Sequence, residues 1–104
     1  PARAARLYKL LADLAAGPKA RGSLLRRLRA GLRTFYRDLD LLRSWEIEIA
    51  MEKRKYVLKT SLSQCLERLP FPDPDLRFAE AITLSKGRTK SHRKLKKLVE
   101  KLTR

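Results

Sequence analysis

The sequence predicts a mainly α-helical protein of the α+β class, with one short β-hairpin among its helices. Apolar residues recur at helical spacing up to residue 44 and alternate with polar residues over residues 45–52. Helical spacing returns in the last third of the chain. Glycines and prolines lie at or between these segments, where the chain has to turn. A length of 104 residues is enough for one compact domain with a helical appendage.

Three helices are predicted before residue 45. The first covers residues 2–16 and ends at Gly17-Pro18. Its apolar face carries Leu7, Leu10, Leu11 and Leu14, and its other faces carry Arg3, Arg6, Lys9 and Asp13. Ser23 is predicted to cap a short second helix that ends near Ala30. The third covers residues 32–44, with an apolar stripe of Leu32, Phe35, Leu39 and Leu42.

A β-hairpin is predicted to follow. Residues 45–52 alternate as a half-buried strand should, with Trp45, Ile47, Ile49 and Met51 on one face. Lys53-Arg54 lies where the turn is needed. Residues 55–60 form the second strand, with Tyr56 and Leu58 facing inward.

The rest of the chain is predicted as a connector and two helices. Residues 61–73 form the connector, which contains Cys65. The first of the two helices begins at residue 74, with Asp73 as its cap and Gly87 just past its end. The second covers residues 90–103, where leucines and a valine form a stripe beside several lysines.

The charge balance indicates a polyanionic partner. Lys and Arg total 26 against 11 Asp and Glu, a formal net charge of +15 that is spread over both halves of the chain. No apolar run approaches the roughly 20 residues of a membrane-spanning helix, so we expect no membrane partner. Cys65 is the only cysteine, which favours residence in the cytoplasm.

The third helix carries the side chains that would contact this partner. Arg33, Thr34, Tyr36 and Arg37 lie on the exposed faces of its N-terminal half. Arginine can donate two hydrogen bonds to guanine in the major groove, and hydroxyl groups reach phosphate oxygens. Asp38 is expected to orient an arginine. Basic residues of the preceding turn and of the hairpin tip would contact the backbone: Arg29, Lys53, Arg54 and Lys55.

The order of elements and two segments resemble a known family. Three helices and a hairpin are the elements of a winged helix-turn-helix. The segments "RTFYRDLDLLR" and "IEIAMEKRKYVLK" are similar to the N-terminal domain of WYL-domain transcription regulators and, more distantly, of DeoR-type repressors. The resemblance covers about residues 6–60. It departs from the family pattern at Leu25, Arg29 and Lys55 and near Trp45, where family members have small residues or glycine.

The resemblance implies a sequence-specific regulator that binds double-stranded DNA. Residues 1–60 would form the DNA-binding domain, with helix 32–44 in the major groove and residues 51–55 of the wing on the backbone. Occupancy of an operator would block or recruit RNA polymerase, which places the protein at the nucleoid. No residues correspond to the family's sensor domain, so the chain is either a piece of a longer regulator or a stand-alone short one.

The two-helix extension, residues 74–104, has three interpretations. It packs on its own domain, it forms a homodimer interface, or it adds contacts to the DNA backbone. Dimers of helix-turn-helix proteins bind half-sites about one helical turn apart, so the second interpretation favours a palindromic target.

Two other functions remain open. One is a small basic protein that binds RNA or the ribosome, and the other is a winged-helix module that binds an acidic protein. An enzyme is not expected, because His92 is the only histidine and no phosphate-binding loop or buried carboxylate pair is present. We predict no cofactor and no metal, since Cys65 has no second ligand at a suitable spacing.

Overall fold

The computed structural model describes residues 2–72, 76–86 and 90–103. Within these residues the chain forms six helices and one two-stranded antiparallel sheet, which confirms a mainly helical fold with a hairpin. The elements in chain order are α1 (Ala2–Ala15), α2 (Arg21–Leu28), α3 (Leu32–Ser44), β1 (Ile49–Glu52), β2 (Lys55–Leu58), α4 (Leu62–Arg68), α5 (Phe78–Leu84) and α6 (Lys90–Thr103).

Helix α1 is the centre of the core. Its predicted apolar face is buried and belongs to one hydrophobic cluster with residues of α2, α3, the hairpin and all three later helices. Asp13 was predicted on an outer face, and this is wrong, because its carboxylate is buried against α2. Arg27 donates two hydrogen bonds to it, at 3.1 and 2.9 Å, which offsets the cost of burying the charge.

Helix α2 begins before the predicted cap. Ser23 lies inside the helix, and the N-cap position is Ala20, which offers no side-chain acceptor. The segment before α2 is held instead by the hairpin. Lys19 and Tyr56 exchange two backbone hydrogen bonds, with N···O distances of 2.7 and 3.1 Å. This pairing fixes the start of α2 without a capping side chain.

Strand β1 is shorter than the alternating pattern predicts. Trp45 ends α3, and Glu46 has a left-handed backbone with φ 62°. The backbone N–H of Ile47 donates to the carbonyl of Leu42, which would otherwise lack a hydrogen-bond donor at the end of α3. Because residues 45–47 are used in this helix end, β1 begins only at Ile49. Met51 was predicted on the half-buried face but is 53% exposed, because the hairpin tip extends beyond the core.

The segment predicted as a connector contains a further helix, α4. Ser61 is its N-cap, and the Ser61 hydroxyl accepts a hydrogen bond from the backbone N–H of Gln64. Cys65 is fully buried on the inner face of this helix and forms part of the core. Burial raises the pKa of the Cys65 thiol.

Cys65 is therefore expected to resist thiol reagents in the folded protein. Because the thiolate is the reactive form, burial and a raised pKa both slow labelling at neutral pH. The unfolded chain ionises this thiol at lower pH than the folded chain, so raising the pH through the unfolded pKa also favours unfolding. Labelling by a chromogenic disulfide should follow global unfolding across a denaturant series. Labelling in native buffer as fast as in denaturant would contradict this packing.

The last two helices pack on α1. Phe78 at the start of α5 stacks on Tyr8 of α1, with ring centroids 5.6 Å apart. Val99 and Leu102 of α6 are buried in the shared core, and the lysines beside them at 94, 97 and 101 are exposed. The apolar stripe of α6 is thus used within the chain, as in the first of the three interpretations.

Helix α5 starts later than predicted. Leu76 and Arg77 are not helical, and Arg77 is the N-cap. The predicted cap Asp73, the predicted first residue Pro74 and the predicted stop Gly87 lie outside the described residues, as does the side chain of His92. In the described part of the chain, no helix is both long enough and apolar enough to cross a membrane.

Candidate nucleic-acid interface

Helix α3 presents the predicted contact residues along its outer side. Arg33 and Arg37 are one turn apart and exposed, while Phe35, Leu39 and Leu42 are buried on the opposite side. Thr34 and Tyr36 lie on the two flanks of the arginine pair. Thr34 is half-buried toward α1, and Tyr36 is 40% exposed toward the hairpin. Helix α3 therefore offers two cations, flanked by two hydroxyl groups.

Tyr36 is held by a residue that the sequence did not indicate. Nη1 of Arg21, at the start of α2, donates to the Tyr36 hydroxyl at 2.9 Å. This hydrogen bond lowers the pKa of Tyr36, and the neighbouring Tyr56 hydroxyl lowers it further. Because the Tyr36 oxygen accepts from Arg21, its own proton is available to an outside acceptor such as a phosphate oxygen.

The hairpin contacts α3 at two points. The Phe35 and Tyr56 rings meet edge to face with centroids 5.3 Å apart, and Arg43 donates to the carbonyl of Ile49 at 3.0 Å. Tyr56 opposes Met51 in the pairing register, two residues from the turn. An extended residue spans about 3.3–3.6 Å, so the tip lies within roughly 10 Å of the Phe35–Tyr56 contact. The hairpin tip thus lies near the turn of α3 that carries Phe35 and Tyr36, and the Tyr56 hydroxyl neighbours that of Tyr36.

The two turn residues have an unusual backbone. Lys53 and Arg54 both have positive φ, 50° and 65°. Two successive left-handed residues define a type I′ turn, which matches the twist of a hairpin but normally takes Asn-Gly. For residues with a long side chain this conformation costs about 1–2 kcal/mol each. Lys55, which opens β2, is exposed beside them.

Arg29 occupies a third left-handed position. It follows α2 with φ 52°, and its N–H donates to the carbonyl of Arg26 while Ala30 N–H donates to that of Leu25. This pattern is a Schellman motif, whose left-handed position usually holds glycine. Of the four positive-φ residues other than glycine within the described ranges, three are basic residues predicted to bind DNA. Each of the three lies in a helix end or a hairpin turn, which imposes the left-handed conformation.

Replacing Lys53-Arg54 by Asn-Gly is expected to stabilise the protein by about 1 kcal/mol, because both new residues accept positive φ. Chemical denaturation measures this difference. Lys55→Gln is the matched control: it removes a neighbouring cation from a residue with ordinary β backbone and should change stability by less than about 0.5 kcal/mol. Equal effects of the two changes would mean that charge, rather than backbone strain, limits the hairpin.

Asp38 orients an arginine, as expected from the sequence, but the arginine comes from α1. Arg6 donates to both carboxylate oxygens, at 2.5 and 3.0 Å, and this hydrogen bonding raises the pKa of the guanidinium. The Asp38 side chain is 4% exposed and that of Arg6 is 24% exposed. The pair joins α1 to the middle of α3 and fixes the rotation of α3 about its axis.

The predicted contacts form two groups. Tyr36 lies beside Tyr56 of the hairpin that carries Lys53, Arg54 and Lys55, whereas Thr34 and Arg37 face a cleft beside α1. Arg33 is exposed between the two groups, and Arg29, just past the end of α2, belongs to neither. Two further arginines were not predicted from the sequence. Arg21 belongs to the first group, through its hydrogen bond to Tyr36, and Arg3 to the second, in the cleft. Arg21 is 15 positions from its partner, and Arg3 comes from another helix. No local pattern connects residues so far apart.

Comparison with protein-family models, with curated proteins and with solved structures found no significant match to this chain.

Proposed function

We propose that this protein is a sequence-specific regulator that binds double-stranded DNA through a winged helix-turn-helix. In this proposal α2 and α3 form the helix-turn-helix, the N-terminal half of α3 enters the major groove, and the β1–β2 hairpin is the wing. The backbone pairing of Lys19 with Tyr56 supports this arrangement, since it ties the wing to the segment between α1 and α2.

The observation that carries the proposal is the placement of cations around α3. Arg33 and Arg37 are exposed on the helix, and Lys53, Arg54 and Lys55 lie at a hairpin tip that is close to its Tyr36 flank. Three of the basic positions keep a left-handed backbone that glycine or asparagine would adopt at lower cost. Retaining a cation at such a position is understandable if the cation contacts a phosphate.

The aromatic residues favour duplex DNA over single-stranded RNA. Proteins that read single strands stack bases on exposed rings. Of the seven aromatic residues here, all within the described ranges, only Tyr36 is exposed, and its hydroxyl is held by Arg21. Four rings are buried: Phe35, Tyr56, Phe71 and Phe78. A stacking platform is therefore lacking in the described part of the chain.

The proposal is tested by selecting binding sites from a random duplex library and then titrating the selected duplex with salt. About six neutralised phosphates should give a log–log slope near −5. Arg33→Ala should reduce the preference for the selected over a scrambled duplex by about 1–3 kcal/mol, because it removes a base contact. Lys53→Gln should weaken both duplexes equally.

Lys9→Gln is the control, because it removes one cation from an exposed position of α1 that does not line the grooves beside α3. It should leave both the salt slope and the preference unchanged. Selection without any consensus, or stronger binding of folded RNA than of duplex DNA, would refute the proposal.

A further inference from the structure

A cleft of about 300 Å³ separates the N-terminal part of α1 from α3. It is lined by Arg3 and Arg6 on one side and by Thr34, Arg37 and Asp38 on the other. Residues three apart on a helix share a face, so Arg3 with Arg6 and Thr34 with Arg37 point into the same space from opposite walls. Three guanidinium groups and one hydroxyl therefore surround the cleft, together with a single carboxylate.

The carboxylate does not neutralise the cleft. Both oxygens of Asp38 accept hydrogen bonds from Arg6, which pairs these two charges with each other. Within the described residues, the guanidinium groups of Arg3 and Arg37 donate no hydrogen bond and form no ion pair, and the Thr34 hydroxyl has no hydrogen-bond partner. Asp40 lines the adjoining groove with the same two arginines but makes no ion pair with either.

From this arrangement we infer that the cleft binds one phosphate group, with Arg3 and Arg37 donating to its oxygens and the Thr34 hydroxyl completing the contact. Two planar guanidinium forks on one oxyanion are a strong and geometrically specific form of phosphate recognition. Arg6 and Asp38 hold the two walls together.

The inference rests on the proposed function for the source of the phosphate. If α3 lies in the major groove, a backbone phosphate beside the groove is the group that reaches the α1 side. Arg37 then anchors the backbone, and base reading is left to Arg33. A free phosphate group would satisfy the same three side chains, so the experiment has one arm for each source.

The first arm measures salt slopes on a duplex for Arg3→Gln, Arg37→Gln and the double variant. Because both arginines contact one phosphate, each single change should reduce the slope by up to about 0.9, and the double change should reduce it by no more than that. The loss should be equal on selected and scrambled duplexes. Thr34→Val, which keeps the shape of the side chain, should weaken both duplexes in the same way, and Lys9→Gln should weaken neither.

The second arm follows thermal unfolding in inorganic phosphate and in sodium chloride of equal ionic strength. If the source is a free phosphate group, phosphate should raise the midpoint of the wild type more than that of the double variant, by mass action. Both arginines are exposed, so folding of the variants is not at risk.

If the double variant reduces the salt slope on the duplex no more than each single variant does, the inference is supported with DNA as the source of the phosphate. A phosphate-specific stabilisation that the double variant lacks, with unchanged duplex slopes, supports it with a free phosphate group as the source. Independent losses totalling about 1.8, or no effect in either arm, would overturn it. If the wild type binds no duplex, the proposed function fails, and the second arm alone decides whether the cleft binds phosphate.

Discussion

Replacing Phe35 by alanine is expected to lower the free energy of unfolding by about 3–5 kcal/mol. The Phe35 ring is fully buried and contacts Tyr36 and Tyr56 edge to face, at centroid distances of 5.6 and 5.3 Å. Its removal creates a cavity at the point where the hairpin packs on α3. Since a domain of this size has about 5–15 kcal/mol in total, the loss should be visible in both thermal and chemical denaturation.

Leu32→Ala is the matched control for Phe35→Ala. Leu32 lies on the same helix and is also apolar, but it is 47% exposed, so its truncation should cost less than about 0.5 kcal/mol. A cost for Phe35→Ala below about 1 kcal/mol would mean that the hairpin does not pack on α3 as described.

Asp38→Asn is expected to destabilise the protein by about 3 kcal/mol. The substitution keeps the size of the side chain but removes the charge that faces Arg6, which leaves a largely buried guanidinium without a counter-ion. Because the Arg6 side chain is 24% exposed, water can solvate part of the unpaired guanidinium. The cost should therefore lie at the lower end of the range for broken buried ion pairs. Denaturant titration at neutral pH measures the difference.

The Lys59–Glu52 pair provides the comparison for Asp38→Asn. Its atoms are also 2.5 Å apart, but its side chains are 39% and 51% exposed. Glu52→Gln should therefore cost less than about 1 kcal/mol. Similar costs for the two substitutions would show that the Arg6–Asp38 pair is as solvated as the surface pair.

The spacing of apolar residues was sufficient to predict the bounds of the long helices. Helices α1 and α3 begin and end within one residue of the predicted ranges. Gly17-Pro18 marks the end of α1, and α3 ends where the apolar spacing changes from helical to alternating. The short helix α4 was missed although Ser61 and Gln64 stand three apart, a spacing typical of a capped helix start. Seven residues are too few for a visible period, and the cap was the only available signal.

The backbone conformation could not be predicted where it departs from residue preference. No glycine or asparagine marks the left-handed positions at Arg29, Glu46, Lys53 and Arg54. Tertiary packing and helix-end hydrogen bonds impose those conformations. For the candidate site, the exposed face of α3 followed from its helical period, whereas the partners Arg3 and Arg21 depend on how three helices meet.

The central position of α1 determines how the chain can be divided. The helix contacts α2, β2, α4 and α6, and the Phe78 ring of α5 stacks on its Tyr8. A polypeptide truncated after residue 60 would lack Phe78 and α6, so Tyr8 and the side of α1 that packs on α6 would be exposed to water, and we expect it to aggregate more readily. We therefore expect a polypeptide that keeps α4 to α6 to unfold at a higher denaturant concentration than one that ends at residue 60.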